Sequence, residues 1–352
     1  MELQLSITKI IQETSDTKSF YLEPVNKNII INYKAGQFLT FLIYNNERET
    51  RRSYSLGSAH LVDAELFITV KRKANGEISR HLLDHFKEGD ILTSLPPSGR
   101  FIIYEPLAEI YLFAAAGSGI TPVFALIKEL LYHHSATKII LINQCRNEAN
   151  IIYKKELYAL VQHFKDRFQL IQFFSRPSSR RYALRHLNNE ILENIIKEKI
   201  TKNKSKTSDN PQTINFYLCG PLPFMRMAEF TLRQIGFAPD QIRKEHFVID
   251  KPPTAPLLTD TTPKKVTIHY QQQTHHIEAV YPTSILDAAL QKGIQLPYSC
   301  KGGRCSTCVS YCLTGKVVMS MNEVLTDNDI AKGLVLTCVG FAATDAELSF
   351  ES

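Results

Sequence analysis

Three cysteines near the carboxyl end, Cys300, Cys305 and Cys308, stand in C-x4-C-x2-C spacing, and Cys338 follows thirty residues after Cys308. This is the plant-type ligand pattern of a [2Fe–2S] cluster. It constrains the chain strongly, because side chains from two separate segments must converge on one small group. Such a cluster carries one electron and makes no bond to a substrate, so the rest of the chain must deliver electrons to it or remove them. Gly302 and Gly303 let the backbone wrap closely, so amide N–H groups can point at sulfur. Ser306 and Thr307 add small donors. A zinc site is the competing metal reading, but zinc cysteines usually come as two C-x2-C knuckles. Disulfides compete poorly: the cysteine count of seven is odd, and Met1–Ser6 lacks the basic-then-apolar layout of an export signal. No apolar run approaches membrane-spanning length, so a reducing cytoplasmic setting is expected, without a membrane partner. Cys312 reads as a small residue in a strand or turn after the cluster loop, and Cys145 as core.

A length of 352 residues predicts two to three domains, each with its own core. The net charge of +6 is uneven: residues 264–352 hold seven Lys/Arg against eight Asp/Glu, so the basic excess lies upstream. A basic surface there suits an anionic dinucleotide. No basic stripe with interleaved aromatics is present, which argues against a nucleic-acid partner. The segment 250–263, DKPPTAPLLTDTTP, has four prolines and four threonines and reads as a semi-rigid linker. A second polar stretch, 197–211, reads as a solvated loop, with a basic flap near a phosphate as its functional alternative.

Residues 1–104 show short alternating or apolar runs, at 37–44, 66–72 and 90–95, broken by Gly, Pro, Asn and Asp. They predict an antiparallel β-barrel. Residues 105–249 change to strand, glycine turn, helix, then repeat strand and helix, the pattern of a doubly wound parallel α/β sheet. Residues 264–352 predict a small α+β domain: two strands, a helix over 284–292, the cysteine loop, and closing strands near 334–339 and 347–350.

Two further constellations carry chemistry. Gly117-Ser118-Gly119-Ile120-Thr121-Pro122 follows an apolar strand and opens a helix. Glycines there let a pyrophosphate approach backbone, and the helix start offers free N–H groups. The third glycine of the dinucleotide fingerprint is absent, and Pro122 sits in the first helical turn instead. Cys219-Gly220-Pro221 ends a later strand, and both turns are expected to face one crevice outside the carboxyl ends of the strands. In the barrel half, Arg52-Ser53-Tyr54-Ser55 offers a phosphate fork, a flat ring and a hydroxyl. Gly76-Glu77-Ile78-Ser79 precedes a helix whose first N–H groups suit a second phosphate.

In this order the motifs make the chain resemble ferredoxin–NADP reductase-like flavoproteins fused to a carboxyl-terminal plant-type ferredoxin, the reductase components of multicomponent oxygenases. Within that family it is similar to the phenylacetyl-CoA epoxidase reductase branch, through residues 70–72, 97–101 and 322–338. The resemblance implies an FAD-binding barrel at 1–104, a nicotinamide domain at 105–249, a linker at 250–263 and a β-grasp-like ferredoxin at 264–352. It implies that Arg52 binds flavin phosphate, Ser53 lies beside it, Tyr54 packs on the isoalloxazine and Ser55 sits near its reactive nitrogen. Gly76, Ile78 and Ser79 would hold the FAD pyrophosphate. Gly117, Gly119, Thr121, Pro122, Cys219, Gly220 and Pro221 would frame the nicotinamide nucleotide, with Thr121 and Cys219 flanking the ring. Glu245 and Phe247 resemble the segment that ends this domain beside the flavin, and Ser55, Thr121, Cys219 and Glu245 form the implied catalytic set. Ser175 and Arg176 are similar to residues that meet an adenosine 2′-phosphate, favouring NADPH over NADH, and Arg180, Arg181 and Arg185 would add charge. Cys300, Cys305, Cys308 and Cys338 would ligate the cluster. Ser306 departs from the Gly or Ala common in relatives, and RSYSL is also similar to an FMN-dependent branch, whereas GEIS favours FAD.

Electron counting orders the parts. NADPH gives two electrons as a hydride, the cluster accepts one, and a flavin can do both. The expected route is NADPH, FAD, [2Fe–2S], then a partner oxygenase or hydroxylase. A stand-alone NAD(P)H dehydrogenase, the reductase of another oxygenase, and a redox sensor are the alternatives.

Overall fold

The computed structural model describes residues 2–45, 48–179, 185–201, 213–247, 254–256, 258 and 260–351. The chain divides into two compact units, Met1–Phe247 and Val248–Ser352. Residues 250–253, 257 and 259 of the expected 250–263 linker, most of the 197–211 loop, and Arg180 and Arg181 lie outside the described residues. No helix among the described residues is long and apolar enough to cross a membrane.

The first unit opens with β1 (Leu3–Thr14), β2 (Thr17–Pro24), β3 (Phe38–Asn45), β4 (Arg48–Ser55), β5 (Leu66–Lys71), α1 (Glu77–His85) and β6 (Ile91–Ser94). These strands form one antiparallel sheet in the order β4-β3-β6-β1-β2-β5. A bridge between Leu56 and Ile68 joins its two edges and closes the barrel. Alternation along the strands turns Leu5, Ile7, Phe20, Leu22, Leu39, Phe41 and Ile68 inward to a single core. β1 and β2 were not foreseen, because their alternation is diluted by Lys, Gln and Thr.

The unit continues with β7 (Ile110–Ala116), α2 (Ile120–His133), β8 (Lys138–Cys145), α3 (Lys154–His163), β9 (Phe168–Phe174), α4 (Asn189–Ile196), β10 (Ile214–Cys219), α5 (Leu222–Gln234) and β11 (Ile242–Glu245). The sheet is wholly parallel, in the order β11-β10-β7-β8-β9. Its strands are near-continuous apolar runs because both faces are covered. One face shares its core with the barrel, through Ala35, Ala59, Phe67 and Phe101 packed with Phe113, Phe124 and Tyr217. α2 is buried on nearly all sides, Lys128 included. Lys128 survives there by pairing with Asp63 and lying 4.4 Å from the Phe124 ring centroid. α4 then runs into a π-helical turn at Lys197–Thr201, where the sequence had suggested only loop.

The second unit holds β12 (Lys264–Tyr270), β13 (Gln273–Ala279), α6 (Ile285–Gln291), β14 (Val309–Thr314), β15 (Val317–Met319), α7 (Asp327–Ala331), β16 (Leu334–Leu336), β17 (Gly340–Ala342) and β18 (Ala346–Ser349). Five strands pair in the order β13-β12-β18-β14-β16, with only β12 and β18 parallel. α6 is capped by Ser284, whose hydroxyl accepts the Asp287 N–H, and buries Ile285, Leu286, Ala288 and Ala289 in the unit's core. Cys312 lies on β14.

The strand order of the parallel sheet reverses between β7 and β10, so the turns after these two strands meet. A Cβ on Gly119 would stand 2.2 Å from the Cys219 carbonyl oxygen. Gly117 has open space but a left-handed φ of 59°. Gly119→Ala is therefore expected to cost more than about 3 kcal/mol through forced backbone movement. Gly117→Ala should cost only about 1 kcal/mol of backbone strain. Urea unfolding of the two variants checks the order.

Candidate functional site

In residues 1–247 the strand ends gather four of the expected side chains. β10 pairs with β7 and β11 so that Cys219 lies level with Ala115 on one side and Glu245 on the other. Ser55, the last residue of β4, donates its hydroxyl to Glu245 Oε2 at 3.0 Å. Thr121 lies in the first turn of α2, beside the Cys219-Gly220 backbone that Gly119 touches. All four side chains are buried, from 0% exposure at Cys219 to 8% at Glu245. They form a floor rather than an open cleft.

Burial sets the electrostatics of that floor. Loss of water pushes the Glu245 carboxyl up to about 8, and the Ser55 hydrogen bond offsets only part of the rise. The Cys219 thiol is pushed well above its ordinary value, first by burial and then by the neighbouring Glu245 carboxyl. Cys219 is thus held uncharged and is not an activated nucleophile.

Strand alternation divides the Arg52–Ser55 motif between two faces. Ser53 and Ser55 share one face, and Ser53 is hydrogen bonded to Thr40 at 2.9 Å. Arg52 and Tyr54 share the other: Tyr54 is half-buried against Phe41, and its phenol is pushed up by burial despite the nearby Arg52 guanidinium. Gly76 directly precedes α1, and no side chain caps that helix. Ser79 Oγ donates to Gly76 O at 3.2 Å and accepts from Lys73 N–H at 3.2 Å. Ile78 is buried in the barrel core, so it has only backbone to offer a phosphate. Gly117 and Gly119 form a short 3-10 turn before α2, Pro122 is buried in the first turn of α2, and Pro221 precedes α5.

Ser175 and Arg176 sit just past β9, where Arg176 N–H donates to the Arg146 carbonyl at 2.7 Å. Arg185 returns to the same strand end, its N–H bonding the Phe174 carbonyl at 3.0 Å. Arg146, Arg176 and Arg185 are all exposed. Arg146 was missed from sequence, because it follows β8 and is a neighbour of Arg176 only through the pairing of β8 with β9. Glu148 does not cancel this charge directly: its carboxylate accepts the Ser178 and Ser179 amides at 2.9 and 3.0 Å.

In the second unit the four cysteines come together. The Cys300 thiol interacts with Cys305 and Cys338, and Cys338 also meets Cys308. Hydrogen bonds from Cys305 and Cys338 hold Cys300 low, and the same contacts push Cys338 and Cys305 up. The loop makes this possible through left-handed turns at Lys301, Gly303 and Ser306. The Gly302 amide points at Cys300 sulfur at 3.3 Å, and the Thr307 hydroxyl lies 3.3 Å from Cys305 sulfur. Thr337 pins the two segments together, its amide and hydroxyl both donating to the Cys308 carbonyl at 3.1 and 3.0 Å. Among the described residues no group of three or more His, Cys, Asp or Glu side chains is arranged around a single metal ion. Four sulfurs linked through Cys300 and Cys338, with the Gly302 amide aimed at Cys300, fit a thiolate-bound cluster. Ser306 has a φ of 56°, the conformation that glycine adopts without cost, and its hydroxyl bonds the Cys305 carbonyl at 2.7 Å.

Comparisons with known proteins agree with this layout. Family models match residues 4–103 as an oxidoreductase FAD-binding domain, 113–229 as an oxidoreductase NAD-binding domain and 268–343 as a 2Fe-2S iron-sulfur cluster binding domain. The chain is 31% identical to a component of the 1,2-phenylacetyl-CoA epoxidase of Escherichia coli, covering 99% of this chain and 97% of that protein. It is 30% identical to the ferredoxin reductase component of 3-ketosteroid-9-alpha-monooxygenase of Mycolicibacterium smegmatis, over 98% and 95% of the two chains. Among solved structures, phthalate dioxygenase reductase aligns with a TM-score of 0.59 at 23% identity, covering 99% of this chain and 97% of that one.

Two expectations follow. Glu245 stays protonated in the folded chain to about pH 8 but ionises near 4.5 once unfolded. The folded state then holds the extra proton, so this group's stabilisation is lost as pH rises from about 5 to about 8. Glu245→Gln should remove that slope, read as the difference between variant and wild type in urea unfolding across this range. Gly303→Ala places a Cβ 2.8 Å from the Met321 carbonyl at a φ of 70°. It should therefore sharply reduce bound iron per chain, whereas Gly293→Ala, with open space around it, should leave iron content unchanged.

Proposed function

The chain belongs to the reductase components of multicomponent oxygenases built from FAD-binding, NAD-binding and [2Fe–2S] domains, and from that premise we propose that it draws hydride from NADPH and serves a phenylacetyl-CoA epoxidase. Electron transfer to an oxygenase is the family's activity. When bound, the flavin supplies the conversion of one hydride into two single electrons, and the cluster supplies their one-at-a-time delivery.

The residues of this chain do the rest by position. The Gly117–Gly119 turn and the first amides of α2 present N–H groups to a pyrophosphate. Thr121 and the uncharged Cys219 lie at the turns that would receive the nicotinamide. Ser55 and Glu245 hold a proton between them on the opposite side, at a carboxyl that stays neutral near physiological pH. The amides ahead of α1, with Ser79, suit the flavin pyrophosphate, and Arg52 and Tyr54 its phosphate and ring. Cys300, Cys305, Cys308 and Cys338 would hold the cluster.

The observation that carries the choice of NADPH is the exposed arginine trio, Arg146, Arg176 and Arg185, at the carboxyl ends of β8 and β9. A 2′-phosphate adds two negative charges, which such forks recognise and NADH lacks. The choice of partner rests on the 31% identity along nearly the whole of the Escherichia coli epoxidase component. The steroid monooxygenase reductase is almost as similar, so its oxygenase is the comparison to run.

The test reconstitutes the full chain with the purified oxygenase component of a phenylacetyl-CoA epoxidase and, separately, that of a 3-ketosteroid 9α-monooxygenase. NADPH-driven product with the first alone supports the partner. Product with the second alone overturns it, and full turnover without any partner protein favours a stand-alone dehydrogenase. Arg176→Ala should raise KM for NADPH about tenfold while leaving that for NADH unchanged.

A further inference from the structure

Tyr153 belongs to none of the motifs above, yet both halves of the first unit converge on it. Its backbone sits at φ 56° and ψ 36°, a left-handed conformation that bulky side chains rarely adopt. Its ring is 2% exposed, stacked on Phe124 of α2 at 4.5 Å and edge-on to Phe67 of β5 at 6.0 Å. Its hydroxyl lies 2.5 Å from Thr69 Oγ1 on β5. A Cβ on Gly57, two residues beyond Ser55, would stand 2.8 Å from the same oxygen. On its other side the phenol faces Thr121, whose buried Oγ1 is outside regular hydrogen-bond geometry with it.

The hydrogen bonds behind Tyr153 have a direction. Ser19 of β2 donates to Glu13 Oε1 at 2.7 Å. With its proton committed there, Ser19 accepts from Thr69 at 2.7 Å, and Thr69 in turn accepts from the Tyr153 hydroxyl. The other Glu13 oxygen accepts the Tyr153 N–H at 3.3 Å, closing the ring. The phenol therefore offers only lone pairs to Thr121, so a hydrogen bond between the two, not made in this geometry, would have Thr121 as its donor.

We infer that Tyr153 is a positioning residue for hydride transfer. It turns the Thr121 hydroxyl so that its lone pairs are free to accept the N–H of a nicotinamide carboxamide. It also fixes the separation between the end of β4 and the turn after β7. The left-handed backbone serves this role, since it carries the phenol from the start of α3 back against the barrel. The inference rests on the functional reading above, in which Ser55 and Thr121 face the two reacting rings.

The test compares Tyr153→Phe, which keeps the ring stacking, and Thr69→Val, which leaves Tyr153 intact but removes its anchor. Both are made in the full chain loaded with its cofactors. Anaerobic rapid mixing with NADPH should show flavin bleaching slowed about tenfold in each, because small errors in approach cost hydride transfer steeply. Nucleotide affinity by titration and reduction by dithionite should stay unchanged. The double variant should be no slower than either single one. Without any nucleotide, amide exchange across 117–121 should speed up in both variants. Wild-type bleaching rates in Tyr153→Phe, or losses that multiply in the double variant, overturn the inference. A wild-type chain that neither NADPH nor NADH reduces overturns the functional reading instead; unchanged exchange across 117–121 in both variants would then overturn the positioning role on its own.

Discussion

The chemistry of residues 1–247 depends on how closely two backbone turns can approach. Gly119 lies against the Cys219 carbonyl with no room for a Cβ, and a Cβ on Gly220 would stand 3.0 Å from the Ala116 Cβ. That approach exists because the strand order reverses between β7 and β10, leaving no helix between their carboxyl ends. It brings Thr121, Cys219 and Glu245 to one place, although they lie on separate stretches of chain. The barrel adds Ser55, from a strand whose neighbour in sequence closes the barrel.

Burial then gives these groups their character. A carboxyl and a thiol drawn from water both stay protonated, so Glu245 and Cys219 add no charge to the floor. The charged side chains Arg146, Arg176 and Arg185 lie instead at exposed positions past the ends of β8 and β9. In the second unit the same low-polarity setting acts differently. There the cysteine thiols converge on one another, and the amides of the loop turn their positive ends to Cys300.

Much of this was legible in the sequence because it rests on local rules. The cysteine spacing, the glycine turn before α2 and the apolar runs of the parallel sheet each need only a short window of residues. β1 and β2 were missed because long twisted barrel strands with bulges, here between Ile7 and Lys9, break strict alternation. The division of the Arg52–Ser55 motif between two faces follows from strand periodicity, but only once β4 is known to be a strand. Arg146, Glu13 and Tyr153 carried no sequence signal at all, since each acquires its neighbours through strand pairing or helix packing across distant segments. Ser306 is the reverse case: an irregular residue in a recognisable motif, explained by a left-handed backbone that the sequence does not display.

The closing bridge of the barrel has a consequence for how the molecule can breathe. Leu56 and Gly57 lie at that seam: the Gly57 N–H bonds the Phe67 carbonyl across it at 2.9 Å, and the Leu56 N–H ties it to Gln37, just before β3, at 2.8 Å. They follow directly on Ser55, so parting the seam would drag the serine away from Glu245. The barrel is thus barred from loosening privately at this edge, and a local opening that in another barrel would pass unnoticed must here break the hydrogen bond between Ser55 and Glu245.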